Sequence, residues 1–466
     1  MQRTEDAFLN MASKKVLIVF FVSLFFVLTN LIDASCKKRI LITNLQKCIN
    51  LALKNSPMLK EKNFDIKARD KSISIAKSDF FPHIKLKGSY LRSEHPNRVI
   101  FAQRNNQPGI FDKDIFSGGV ELTLPIFLGG RRIYNYKASK LIKDISVDRY
   151  FFTKQELIYN IASTYLKIIE TKKAILAVDK NIELLTKQLK DIELKLKVGK
   201  VAPVDKMKVL VPIANQRAKK KTLEQNILVL QHILKRLIGI EQGLFIAPDP
   251  DEKIDFKLKY KLTDFDKLYF LAKQNRPEFK TAKKQIEVAK LNLKKQKSKR
   301  LPDLNLSAQY GLRSGSPYDQ DGPPGAIDHE DYWQASLNLE IPVFYGGAIV
   351  NNISRARMQL YAAKQRLKDV EFDLKRDIAQ AISDIISSKY GLDAANNNKK
   401  LALEVLRIER LKYKMGKNTI NDVLDAHANL LDAELDYIKY SFKYNISKLY
   451  LYKAIGYDLE KIIQNK

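Results

Sequence analysis

From residue 131 to 198 the chain runs 68 residues without Gly or Pro, and from 348 to 415 another 68 broken only by Gly391. Both stretches are rich in Leu, Ile, Ala, Lys and Glu, good helix formers apart from the β-branched Ile. Each predicts one helix ~100 Å long. A helix of that length has no globular core to lie on, so it must pack in a coiled coil. Shorter helical stretches flank each one: Leu45–Ser78 and Pro203–Gly239 around the first, Asp264–Lys299 and Thr419–Gly456 around the second. Each pair sums to about the length of the long helix, so the economical packing stacks the two short helices end to end beside it. Between the leading and the long helix the period drops to two. Ile84, Leu86, Gly88 and Tyr90 alternate with Lys85, Lys87 and Ser89, and Val120, Leu122 and Leu124 with Glu121 and Thr123. Leu304, Leu306, Ala308, Tyr310 and Leu312 alternate with Asn305, Ser307, Gln309 and Gly311, and Trp333, Ala335, Leu337, Leu339 and Ile341 with Gln334, Ser336, Asn338 and Glu340. These are four strands, each with one apolar and one polar face.

The pattern occurs twice because the sequence does. Asn55-Ser56-Pro57 returns as Asn275-Arg276-Pro277, and Phe81-Pro82 to Tyr90 as Leu301-Pro302 to Tyr310. Leu124-Pro125-Ile126-Phe127-Leu128-Gly129-Gly130 returns as Ile341-Pro342-Val343-Phe344-Tyr345-Gly346-Gly347. Lys197-Val198-Gly199-Lys200 matches Lys414-Met415-Gly416-Lys417, and Ile238-Gly239-Ile240 matches Ile455-Gly456-Tyr457. The offset slips from 220 to 217 once, so the chain is a tandem duplication of a long unit, not a solenoid. The expected division is a leader at 1–34, a first repeat at 35–240, a linker at 241–262, a second repeat at 263–460 and a tail at 461–466. Pro125 and Pro342 are expected to end strands, and the glycine pairs Gly129-Gly130 and Gly346-Gly347 to turn the chain from strand to helix. Gly199 and Gly416 are expected at the turns between long and following helices.

The start of the chain reads as an export signal. Lys14 and Lys15 precede a thirteen-residue apolar run, Val16 to Leu28, with small residues at Ala34-Ser35. Thirteen residues cover only ~20 Å, too short for a bilayer core, so a membrane anchor is disfavoured and cleavage near Ala34 expected. Met11 is an alternative start. Ser35-Cys36 resembles a lipidation site, but Asp33 stands where such sites prefer Leu. No later stretch is apolar enough for a transmembrane helix.

Composition removes several function classes. Two cysteines, Cys36 and Cys48, exclude a disulfide framework. The five histidines (83, 95, 232, 329 and 427) have no ligand-like spacing, so no metal site and no cofactor is expected. The balance of 82 Lys+Arg against 52 Asp+Glu gives +30. Export, and lysines spread along all the helices and not gathered in one patch, argue against nucleic acid, and most of the excess reads as solvated helix surface. The carboxylates between Ser314 and Asp331 suit a solvated loop better than a cation site.

One-sided strands suit either a sheet with a buried face or an outer-membrane barrel. Helices too long to fold back over the sheet favour the barrel. Four strands cannot close one, so the chain must oligomerise: a dimer gives eight strands, a trimer twelve, and only the larger leaves a channel. The duplicated layout, the two Pro-to-Gly-Gly junctions and the run from Tyr413 to Ala426 (YKMGKNTINDVLDA) resemble TolC-type outer-membrane efflux proteins over about residues 41–460. The resemblance implies a mainly α fold with a β-barrel portion. Four strands per chain would complete a twelve-stranded barrel as a homotrimer above a periplasmic coiled-coil tunnel. It also implies an exit duct in outer-membrane lipid, without catalytic residues, for a tripartite pump or type I secretion system. Its partners would be a periplasmic adaptor and an inner-membrane transporter. The rival is a periplasmic coiled-coil adaptor or scaffold without a pore.

The candidate site follows from Asp422 and Asp425, three apart and hence on one helix face. With Thr419 as N-cap, Asp422 falls at N3, where a capping role alone would explain a carboxylate. Asp425 has only the helix dipole to explain it. The resemblance implies that both aspartates line a constricted periplasmic aperture and that Tyr413 belongs to its closing network. Asn418 stands where an arginine would complete that network. The first repeat has Asp205 and Lys208 at the matching offsets, so the carboxylate ring is expected from the second repeat alone. The loops around 97–109 and 314–331 are expected to face the exterior.

Overall fold

A computed structural model describes residues 39–42, 44–92, 114–240, 244–249, 252, 254–315 and 328–464. The expected leader, Cys36, the 97–109 loop and most of the 314–331 loop lie outside the described residues. In chain order the elements are β1 (Arg39–Ile42), α1 (Leu45–Asn55), α2 (Pro57–Ser78), β2 (His83–Arg92), β3 (Asp114–Leu128), α3 (Arg131–Lys197), α4 (Pro203–Ile238) and β4 (Leu244–Ala247). Then follow α5 (Phe265–Asn275), α6 (Pro277–Lys297), a 3-10 turn (Ser298–Arg300), β5 (Asp303–Gly315), β6 (Asp328–Glu340), α7 (Ala348–Lys414), α8 (Ile420–Ala454) and α9 (Leu459–Gln464). The elements α1 to α4 with β2 and β3 recur in the same order as α5 to α8 with β5 and β6. The long helices α3 and α7 have 67 residues each.

The leading helices are each broken once. Pro57 and Pro277 offer no N–H and push the residue before them out of the helical region. Ser56 accordingly sits at φ −53°, ψ 121° and Arg276 at φ −65°, ψ 125°. A second departure concerns Pro125, expected to end its strand. It lies inside β3, where the ladder to β5 shifts register between Pro125 and Phe127, so the missing N–H falls at an irregularity. On the other side β6 ends at Glu340, two residues before Pro342. Both glycine pairs take positive φ: 60° and 83° at Gly129 and Gly130, 54° and 80° at Gly346 and Gly347.

The chain divides into two compact units, and α3, α7 and α8 contribute to both. One unit holds the four-stranded antiparallel sheet, ordered β2-β3-β5-β6. Its register places Leu86, Val120, Tyr310 and Trp333 in one row and Ile84, Leu122, Ala308 and Ala335 in the next. Opposite side chains in such a ladder share a face, so these rows form one apolar surface. Leu86 is 84% exposed and Trp333 75%, so among the described residues nothing covers it. The other face is polar and knit together. Lys87 pairs with Glu121, the Ser89 and Ser117 hydroxyls meet at 2.7 Å, and Gln309 donates to the Tyr332 hydroxyl at 2.7 Å.

Below the sheet, the same unit is held by charged contacts around Arg276. Its guanidinium, largely buried, pairs with Glu278 and donates to Asp377 at 2.7 Å. Arg276 and Arg376 together hold the Asp377 carboxyl below the usual range against the cost of its burial. Residues 461–464 of the expected tail belong to α9, in which Leu459, Ile462 and Ile463 are buried and Glu460 meets Lys154 at 2.6 Å. The second half of the expected linker is also packed here: Phe256 is 1% exposed, and the Tyr452 hydroxyl donates to the Lys257 carbonyl at 2.6 Å.

The other unit contains the hairpins α3–α4 and α7–α8 at their turns, together with α1, β1 and β4. Two short strands that the alternation did not predict, β1 and β4, pair in parallel. Beside them α1 buries Leu45, Cys48, Ile49 and Ala52 completely. The Tyr165 hydroxyl donates to Glu252 and Lys172 donates to the Pro248 carbonyl at 2.6 Å, so the first half of the expected linker is likewise tied down.

Gly456 gives a direct test of packing in the sheet-bearing unit. It sits at φ 72°, and a Cβ there would lie 2.7 Å from the Arg276 nitrogen. Gly456→Ala is expected to destabilise by about 1–3 kcal/mol, seen as a lower thermal midpoint.

Candidate functional site

The two hairpin turns are built alike. In each, the helix ends on a glycine at φ 69°, Gly199 or Gly416. The next residue's N–H reaches back five positions, Lys200 to Lys195 and Lys417 to Lys412, both at 2.9 Å. This is the Schellman closure, which satisfies the last carbonyls and needs a left-handed residue. Behind the turns, Leu185 and Ile192 of α3, Val209 and Ile213 of α4, Leu406 of α7 and Ile420, Val423, Ala426 and Leu430 of α8 form one buried cluster.

The aspartates differ in what they already do. The Thr419 N–H and hydroxyl both donate to one Asp422 oxygen, at 2.8 and 2.7 Å. Those bonds keep the Asp422 carboxyl below its ordinary range, and it sits at N3 of α8 as the acceptor for Thr419. Asp425 is exposed one turn on and makes no hydrogen bond or ion pair among the described residues. In the other hairpin Asp205 has Lys208 at 3.4 Å. The free carboxylate is therefore Asp425, with Asp422 exposed beside it.

Tyr413 is half-buried, with the Lys195 ammonium 4.3 Å from its ring centroid. Burial, with Asp205 and Asp191 adding to it, raises the phenol, whose hydroxyl has no hydrogen-bond partner among the described residues. Asn418 does not reach across to the other hairpin. Its amide donates to the Glu409 carbonyl at 3.1 Å and to the Glu409 carboxylate at 2.5 Å, within its own hairpin. With Lys412, Asn418 keeps the Glu409 carboxyl low. A cavity of about 840 Å³ opens between α3 and α7, lined by Leu194, Lys195, Arg407, Arg410, Leu411 and Tyr413 among others. No group of side chains fit to hold a metal is present among the described residues.

The comparisons bear on this arrangement. The family model "Outer membrane efflux protein" matches residues 48–240 and 268–457. The chain belongs to that family. It is 23% identical over 413 residues to the outer membrane protein TolC of Vibrio cholerae, covering 89% of this chain and 90% of that one. To TolC of Escherichia coli it is 22% identical over 421 residues, covering 89% and 82%. Among solved structures, a membrane protein from Pseudomonas aeruginosa superimposes with TM-score 0.77 at 17% identity over 91% of this chain and 93% of that one. The Campylobacter jejuni CmeC outer membrane channel gives 0.74 at 20% identity over 91% and 89%. The fold is thus that of the outer-membrane channels, a helical portion joined to a sheet, and the protein's place is the outer membrane. The two TolC relatives are outer membrane proteins, and CmeC is an outer membrane channel. Among the described residues no helix is long and apolar enough to cross a membrane.

One pairing at the site escaped the sequence reading. His427, buried on the core face of α8, sits with Nε2 3.0 Å from the Arg410 guanidinium of α7. A guanidinium only donates, so Nε2 accepts and the proton lies on Nδ1. Its signal was faint: His427 lies seven residues past Ile420, on the same helix face. Burial and then Arg410 push its pKa down to about 4.

The sign of that shift sets a pH dependence. An unfolded histidine takes its proton near pH 6.5, whereas the folded one resists until about pH 4. Protons therefore favour the unfolded chain as pH falls between those values. Stability should be flat above pH 7 and drop by up to about 3 kcal/mol through this window. In denaturant unfolding at stepped pH, His427→Gln, which keeps an acceptor for Arg410, is expected to remove that limb while leaving the contribution of the carboxylates.

Proposed function

We propose that three copies of this chain close a twelve-stranded barrel and form the exit duct of a tripartite efflux pump or type I secretion system. The observation that carries the reading is the sheet. Its apolar face is uncovered, its polar face is hydrogen-bonded, and β2 and β6 are edges without a strand partner among the described residues. Lipid offers no partner for open edges, so a sheet with lipid on one face must close on itself. Four strands per chain make twelve from three chains, enough to leave a channel. An adaptor or scaffold without a pore would leave the apolar face in water.

The hairpin turns then form the periplasmic mouth, where an adaptor linked to an inner-membrane transporter docks. Asp422 and Asp425 line that mouth in three copies, and Tyr413 on Lys195 belongs to the contacts that hold it narrow. Clustered carboxylates attract cations and repel one another, which gives cation selectivity and block by multivalent cations. Because Asp422 is engaged by Thr419, Asp425 carries the larger share. The two blocks of family match support dividing the mature chain into repeats at 35–240 and 263–460, after loss of a leader at 1–34.

Mass measurement in detergent should give three chains per particle. A stable monomer of the full chain overturns the reading. In planar bilayers Asp425→Ala is expected to weaken cation preference and to lose most block by trivalent cations added on the periplasmic side. Adding Asp422→Ala should complete the loss, and Asp205→Ala should change neither. A double variant with wild-type selectivity and block would make the aspartates structural only.

A further inference from the structure

The excess charge expected to be spread along the helices is concentrated where helices meet the sheet. Residues 131–143 carry five basic and no acidic side chains, 288–300 six and none, and 348–368 five and none. Residues 66–78 carry four against Asp70 alone. These are the sheet-side ends of α3, α6 with its 3-10 turn, α7 and α2. The densest run is 294–300, where Lys294, Lys295, Lys297, Lys299 and Arg300 lead directly into β5.

Among the described residues these five cations are not neutralised. None has a carboxylate partner among the described residues, and Lys295 makes only a hydrogen bond to Asn135 at 2.8 Å. Three acids of these elements have other partners: Asp303 pairs with Arg131, Asp70 with Lys143 and Glu287 with Lys290. Nor is the segment loosely placed. A Cβ on Gly129 would come 2.6 Å from the Ser298 carbonyl, so the 3-10 turn lies hard against the β3–α3 junction. On the other side of that junction Arg132 donates to the carbonyls of Asp79 and Ile126 and stacks 5.1 Å from the Phe80 ring.

Exposed apolar side chains stand at the same end of the strands: Leu301 follows Arg300 in the chain, Phe81 precedes β2 and Phe344 follows β6. Phe127 lies opposite Leu304 and so prolongs the apolar face of the sheet toward its helix-side end. Along the chain, apolar surface gives way to unpaired cations within three residues, from Leu301 to Lys299. That order, hydrocarbon-facing groups followed at once by positive charge, mirrors a lipid leaflet passing from acyl chains to phosphates. Lysine stems of this kind lie along apolar surface and lift their ammonium groups to the headgroup layer.

We propose that this cationic run binds the phosphates of anionic phospholipids in the leaflet at the helix-side end of the barrel, with Lys294, Lys297, Lys299 and Arg300 as donors. It rests on the barrel reading above and adds a lipid preference to it. A charged leaflet is held against these residues at all times, within the ~8–10 Å over which charge acts in physiological salt.

The test uses the full-length protein in zwitterionic detergent, with thermal unfolding followed as phosphatidylglycerol or phosphatidylcholine is added at equal mole fraction. Phosphatidylglycerol is expected to raise the midpoint by several degrees more than phosphatidylcholine, and 500 mM salt to erase most of the difference. Replacing Lys294, Lys297, Lys299 and Arg300 with Gln should remove at least half of it. Replacing Lys190, Lys200, Arg217 and Lys221, far from the sheet in sequence, should leave it intact. Equal response to both lipids, or an unchanged quadruple variant, overturns the proposal. So does an equal rise from inorganic phosphate alone, which would make free anion the ligand. If the quadruple variant does not assemble, native mass spectrometry of Lys297→Gln and Arg300→Gln decides: phosphatidylglycerol retained as in wild type refutes the site. A trimer that conducts yet shows no lipid preference sinks this inference and leaves the channel reading standing.

Discussion

A backbone amide in hydrocarbon has no water to turn to, and that constraint organises this protein. Only closed hydrogen-bond ladders survive there. Among the described residues the sheet of one chain has a bonded interior ladder, two edges without a strand partner and one uncovered apolar face. Its sequence carries the same logic. Leu86, Val120, Tyr310 and Trp333 share one row because the register of all four strands agrees, and a slip of one residue in any strand would send its apolar set to the polar side. The bonds on the polar face, Lys87 with Glu121 and Gln309 with Tyr332, reinforce the same register.

From the sheet the chain must enter helices without leaving polar backbone unsatisfied. The glycine pairs at 129–130 and 346–347 take positive φ and turn β3 and β6 into the 67-residue helices. At the far ends Gly199 and Gly416 repeat one closure, so both hairpins turn with the same hydrogen bonds. What differs is the chemistry laid on this shared frame. One hairpin neutralises its first-turn acid with Lys208, and the other leaves Asp425 unpaired. Duplication supplied the scaffold twice, and at these matched positions the second copy bears two exposed carboxylates where the first has Asp205 paired with Lys208.

Local patterns were legible and distant pairings were not. The long helices, four strands and glycine turns are written in periods and breakers that act within a few residues. The breaks at Ser56 and Arg276 were legible too, since each precedes a proline, but the helical composition on both sides masked them. Pro125 misled because its missing N–H falls at a register shift that only the partner strand β5 defines. At the site, the capping position of Asp422 followed from its three-residue spacing to Thr419. The Arg410–His427 pair and Lys195 on Tyr413 join different helices, and no single-sequence period reports such contacts. The charge run at 294–300 was in plain sight, but its position next to a strand with an exposed apolar face is visible only in the structure.

The small parallel ribbon has a consequence for the order of events. Arg39–Ile42 lies near the leading end of the chain, and its partner Leu244–Ala247 follows about two hundred residues later. A chain delivered across a membrane from its N-terminus must therefore hold β1 unpaired until the whole first repeat has emerged. Of the described strands β1 is thus the first to arrive and is finished late, so until then this edge depends on being shielded and not on its own stability.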